Sequence, residues 1–197
     1  RVLRTSFPQA DITLMVSPES AEVAQRQPSV DRIAEARFPG FERGQRLGLA
    51  GRYAALAGLA RRLRRERFDL AIVARPDFWW GAWLVAAAGI PRRMGYGLPD
   101  VLPFLTHAVE PATRRHAAID ALHLAAEASR TWGVAPVDEQ SWRPGSPPLS
   151  FTVRPADRRA AASLLERAGL AEGTDFVALH VGSGAPVKRW PIARWID

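Results

Sequence analysis

The chain has 197 residues, 47% of them hydrophobic and 24% charged, ordinary proportions for a globular protein with room for one large domain or two small ones. It contains no cysteine, which excludes disulfides and thiolate metal sites. A formal net charge of +7 points to an anionic partner (nucleic acid, a phosphorylated lipid surface or an acidic small substrate) without choosing among them.

In chain order, residues 11–16 (Asp-Ile-Thr-Leu-Met-Val) read as a strand closed by Ser17-Pro18, followed by a short helix over 19–27 that ends before Pro28. A weaker strand is expected over 30–34, then a basic, Gly-rich loop over 40–51. Leu56, Leu59 and Leu63 have helical spacing within 53–67. Residues 68–74 form the clearest strand of the first half, apolar throughout and suited to cover on both faces. An apolar helix is expected over 78–88, and short strands over 93–96 and 106–109. The longest apolar stretch, 79–90, is about half of a membrane span and stops at Pro91. A long helix over 115–132 carries a polar stripe of His116, Asp120, His123, Glu127 and Arg130. Residues 133–148, rich in Pro, Gly and Ser, are the best linker. Beyond them come a short strand near 149–153, a helix over 155–168 and a buried strand over 176–180. Strands alternating with helices argue for an α/β fold with parallel sheets.

The segment from His180 to Pro191 carries the most chemistry. It joins the strand expected over 176–180 to a helix expected to begin at Pro191, through Gly182, Ser183, Gly184 and Lys188. Bare backbone N–H groups, a helix start and an ammonium make an anion cradle, with a diphosphate as the best-matched anion. The bland alternative is a tight turn with an exposed lysine. No Gly-Lys-Ser/Thr follows, so the turn is not a Walker-type loop.

In open parallel sheets ligands sit at the carboxyl ends of strands. Arg75-Pro76-Asp77 follows such an end, and a cleft between two domains would bring it near the glycine turn. Arg75 suits a carboxylate or phosphate on a second substrate, against the alternative of a structural ion pair. Asp77 is either a catalytic carboxylate or the cap of the next helix. His116 and His123 stand seven apart with no third ligand nearby, which argues against zinc. With Asp120 and Glu127 they make i,i+4 pairs of a solvated helix face. The run Arg61-Arg62-Leu63-Arg64-Arg65-Glu66-Arg67 is a solvated helix end or a surface for anionic lipid. Trp79, Trp80 and Trp83 read as packing residues, with one of them a candidate to line the cleft.

Several of these segments resemble glycosyltransferase family 9, the ADP-heptose:lipopolysaccharide heptosyltransferases. The most specific match is His180 through Pro191, where the family has His-Pro-Gly, small residues and Lys-Arg-Trp-Pro; Val181 departs from the usual proline. A second is Ala88-Gly89-Ile90-Pro91-Arg92-Arg93-Met94-Gly95-Tyr96. Leu3 to Pro8, Pro28 to Asp31 and Phe68 to Val73 support it in the family's order.

The resemblance implies a GT-B architecture of two Rossmann-like domains with parallel sheets. Residues 1–148 would be an acceptor domain and 149–197 the start of a nucleotide-sugar donor domain, both incomplete. It implies inverting transfer of a heptose from ADP-heptose to a lipid A–core acceptor, with no cofactor or metal, in the cytoplasm or peripherally on the inner membrane. Gly182, Ser183, Gly184 and Lys188 would bind the donor diphosphate. Arg75, Asp77 and His116 are the acceptor-site candidates. The family's Gly-Asp turn, whose aspartate resembles a general base, would lie upstream of Arg1. Arg1 opens without a methionine and Asp197 falls where a helix is starting, so the chain reads as a fragment, inactive alone. Two other readings are a non-catalytic nucleotide- or sugar-binding protein of the same fold, and a basic nucleic-acid-binding module. The latter lacks a recognisable reading motif.

Overall fold

A computed structural model of the chain describes residues 1–38, 48–111, 116–134, 151–171, 173–179, 182 and 188–196. The chain divides into two compact units, Arg1–Thr152 and Val153–Asp197. In the first, the elements run α1 (Val2–Ser6), β1 (Thr13–Val16), α2 (Pro18–Ala24), β2 (Arg32–Glu35), α3 (Leu49–Glu66), β3 (Leu70–Val73), α4 (Trp79–Ala87), β4 (Arg92–Tyr96), a 3-10 turn (Leu102–Phe104), β5 (His107–Val109) and α5 (Ala117–Trp132). The second holds α6 (Pro155–Arg167) and α7 (Ala193–Ile196).

All strand pairs are parallel, as the β-α alternation requires. β1 pairs with β2, Thr13 opposite Arg32. β3, β4 and β5 form a separate sheet in that order, with Ile72 opposite Met94 and Val73 opposite Gly95. The two-residue period of β3 divides its side chains between two cores. Leu70 and Ile72 pack with Met94, Tyr96, Val109, Leu124 and Ala128, under α5. On the other face, Ala71 joins Ala60, Leu63, Leu84 and Ile90 from α3 and α4. Val73 packs with Ala82 and Val101. The three-stranded sheet is thus covered on both sides, which explains why β3 is apolar at every position.

Residues 88–96 act as a structural joint. Gly89 follows α4 with φ of +74°, a left-handed conformation that a side chain would strain. At Gly95 an added Cβ would lie 3.3 Å from the Val73 side chain and 3.2 Å from Leu105, too close for the tightly packed strand pair. Arg93 donates from Nη1 to the carbonyl of Ile90 at 2.6 Å and from Nε to that of Phe104 at 2.7 Å, tying both flanking turns to β4. Tyr96, 1% exposed, donates its hydroxyl to the backbone carbonyl of Asp120 at 2.9 Å. The entry to β1 is tied similarly. Asp31 accepts from the Ile12 amide at 2.6 Å and is ion-paired with Arg4, whose guanidinium also donates to the carbonyl of Ala10 at 2.6 Å. These bonds hold the Asp31 carboxyl below its ordinary value, the Ile12 amide being the larger cause and the Arg4 guanidinium the next.

The second unit departs from expectation. Residues 151–153 and 176–179 are exposed and form no strand; Phe176, Val177 and Leu179 stand 52%, 86% and 67% exposed. Apolar sequence becomes strand only where a neighbour takes its backbone donors and acceptors, and the described residues of this unit contain no strand to serve. The linker at 133–148 lies almost wholly outside the described residues, as does most of the loop at 40–51.

Candidate functional site

Two candidates of the first unit, Arg75 and Asp77, follow the carboxyl end of β3. β3 ends at Val73, and a turn in which Phe78 N–H donates to the carbonyl of Arg75 at 3.3 Å leads into α4. On that turn Arg75 and Asp77 face each other through two bonds, Nε to Oδ1 at 2.6 Å and Nη2 to Oδ2 at 3.1 Å. Both side chains are more than half exposed, 58% and 65%. The guanidinium holds the Asp77 carboxyl below its ordinary value, and the carboxylate raises that of Arg75. Asp77 therefore does not cap α4; the N-cap is Phe78, with no side-chain bond to the helix. An exposed pair this well aligned contributes little to stability. Both arms of that guanidinium fork are spent on the carboxylate.

His116 is placed by way of Tyr96. Tyr96 is the last residue of β4, and its bond to Asp120 sets the first turn of α5 over that strand end. His116 is the N-cap of α5, its Nδ1 accepting from the Ala118 amide at 3.2 Å. It does not pair with Asp120. Nor is His123 on a solvated face: the ring is half-buried and stacks against Tyr96 with centroids 6.5 Å apart, while Glu127 bonds Arg130 at 2.6 Å. The stripe of α5 is half sheathed because the helix packs over the sheet face at β4.

Beside the Arg75 turn stands the aromatic group expected to pack, with one ring a candidate for the cleft. Trp80 stacks on Trp79 at 3.9 Å, lies 5.5 Å from the ring of Tyr53 and 6.5 Å from Trp83. Trp79 and Trp83 join core clusters, whereas Trp80 joins none. The Trp-Trp doublet two residues after Asp77 was the signal available in the sequence.

In the second unit Gly182 and Lys188 are exposed, and His180, Ser183 and Gly184 lie outside the described residues. The helix expected at Pro191 begins two residues later as the single turn α7, with Arg194 N–H donating to the carbonyl of Pro191 at 3.0 Å. Trp190 lies under the Arg194 guanidinium, 5.5 Å from its ring centroid, and donates Nε1–H to the Arg194 carbonyl at 3.3 Å. Among the described residues no group of three His, Asp or Glu could hold a metal ion. No described helix is long and apolar enough to cross a membrane.

No curated protein matches the sequence. The family model described as "Glycosyltransferase family 9 (heptosyltransferase)" matches residues 56–197. Among solved structures, the chain is similar to the glycosyl transferase family 9 protein from Veillonella parvula DSM 2008, at 20% identity and a TM-score of 0.68 over 98% of this chain and 51% of that one. It is also similar to the E. coli ADP-heptose lps heptosyltransferase II, at 18% identity and a TM-score of 0.62 over 97% and 51%. These likenesses establish the GT-B type α/β fold, and the chain spans about half the length of each structure.

Proposed function

Since the chain belongs to glycosyltransferase family 9, we propose that it supplies the acceptor domain and the first part of the donor domain of an inverting heptosyltransferase. The donor is ADP-heptose and the acceptor the lipid A–core of lipopolysaccharide. The observation that carries the reading is the family match itself, because it runs through Lys188 and the whole glycine turn. That the second solved structure is titled an ADP-heptose lps heptosyltransferase supports the choice of sugar and acceptor.

In this reading an acceptor hydroxyl attacks the anomeric carbon from the side opposite the diphosphate. The bond from that carbon to ADP breaks, its electron pair stays with the diphosphate, and the hydroxyl proton passes to a carboxylate base. Backbone N–H groups of Gly182, Ser183 and Gly184, with the Lys188 ammonium, stabilise the charge growing on ADP. Arg75 and Asp77 hold the acceptor, the guanidinium taking an anionic group and the carboxylate a hydroxyl, and His116 borders the same pocket. The work is cytoplasmic, where a nucleotide-sugar and the inner face of the membrane meet.

The test is ADP release from ADP-heptose with a truncated lipid A–core acceptor, in protein extended to the length of the family structures. Lys188→Ala is expected to lower kcat about a hundredfold, as loss of one donor to a developing anion does, with an unchanged far-ultraviolet circular dichroism spectrum. Unchanged kinetics would remove Lys188 from the donor site. Binding of ADP without release would favour a non-catalytic binding protein.

A further inference from the structure

The C-terminal half of α3 carries a basic surface that the transfer reaction does not use. Leu56, Ala60 and Leu63 turn inward, while Ala54, Gly58, Arg61, Arg62 and Arg65 are exposed on the opposite side, flanked by exposed Arg64 and Arg67. None of these five arginines takes an ion pair or hydrogen bond among the described residues. The one carboxylate of the helix, Glu66, is held by Arg32 at 3.1 Å. The helix dipole favours cations within the last turn and fades beyond it, so it does not account for Arg61 and Arg62. Helical spacing sets Arg61 against Arg64 and Arg65, and Arg62 against Arg65, each a repulsive neighbour that weakens the helix. Positive charge without an internal partner, placed at a cost to its own helix, points to an anionic partner outside.

We propose that the exposed face of α3 docks the protein peripherally on a bilayer containing anionic phospholipid. Three observations favour a bilayer over nucleic acid. Helix α3 is seated along α4 rather than projecting, so it cannot enter a groove as a recognition helix does. Between its ends the face carries only Ala54, Ala57 and Gly58, and so is flat. The row of every fourth residue that includes Arg61 and Arg65 also includes Tyr53, which is 45% exposed and lies beside Trp80. Arginine for phosphate and Tyr/Trp for the headgroup layer is the combination that a membrane surface selects. The basic end precedes β3 at Arg67, whereas Arg75 follows that strand, so the arginines and the acceptor-site candidate flank opposite ends of β3.

Cosedimentation with phosphatidylglycerol/phosphatidylcholine vesicles, against pure phosphatidylcholine, tests this. The protein is expected on the anionic vesicles only, and to leave them at high salt. The triple variant Arg61→Gln/Arg62→Gln/Arg65→Gln should partition about a hundredfold less, at about fivefold per arginine. Its thermal midpoint should be equal or higher, because like charges are separated. The corresponding lysine triple should keep the partition. Equal partition of the glutamine triple and the parent would overturn the proposal, as would loss in the lysine triple. So would arginine-dependent binding of a labelled duplex by protein that ignores the vesicles. ADP release with a water-soluble acceptor should be the same in the glutamine triple, which separates failure of docking from failure of the transferase reading.

Discussion

Leu124 is the side chain on which the seating of α5 depends most. It is fully buried, 0% exposed, against Met94, Tyr96 and Val109 of the sheet and Ala128 of its own helix. Leu124→Ala removes three carbons from a site whose walls are strand residues held in a parallel ladder. One of those walls, Tyr96, is further fixed by its bond to Asp120. Such a site relaxes poorly into the space left behind. The cost should fall in the upper half of the usual range, about 3.5 kcal/mol. For a unit of this size that lowers the thermal midpoint by about 10 °C. Leu164→Ala on α6, at a position 59% exposed, should change stability by less than about 0.5 kcal/mol. Thermal melts followed by far-ultraviolet circular dichroism measure both. A shift below about 3 °C for Leu124→Ala would show that α5 is not clamped to β4, and the placement of His116 at the strand ends would fall with it.

His116→Ala should cost about 1 kcal/mol in urea unfolding, and His116→Asn much less, because asparagine supplies the same acceptor to the Ala118 amide. An alanine variant as stable as the parent but defective in transfer would move His116 from the frame of the molecule to its substrate. Asp31 predicts an acid limb of stability. Its folded carboxyl is held below the ordinary 3.8, so the unfolded chain binds the proton more readily. The stabilisation is complete above that value and disappears as the pH falls through the lowered folded one. The urea midpoint should therefore fall more steeply with acid in the parent than in Asp31→Asn; parallel curves would refute the assignment.

The first unit was legible because its signals are local. The β-branched run before Ala74, the leucines of α3 and the glycine after α4 each impose a backbone state within a few residues. Helix and strand boundaries moved by one to four residues, as where α3 begins at Leu49 rather than 53. The second unit was not legible in the same way. Phe176, Val177 and Leu179 have strand composition, yet a strand is a relation between two segments, and a single segment carries only half of it. The candidate site divided along the same line. Arg75 was visible as a charge at a strand end, but its bidentate partner two residues on, where a cap was expected, depends on how the turn directs both side chains. The solvated reading of His123 failed because exposure of a helix flank depends on the sheet beside it. Arg93 and Gly95, part of the second family motif, proved to be joinery: their atoms are spent on neighbouring carbonyls and on close packing.

The phenol of Tyr96 has a consequence for how specificity can vary in this fold. It ties the opening turn of α5 to the end of a central strand, so the imidazole that starts the helix takes its position from the sheet rather than from the connecting loop. The stretch between β5 and α5 can therefore lengthen, shorten or change its charges while the helix start stays put. The start of α5 is thereby anchored independently of the sequence that leads into it.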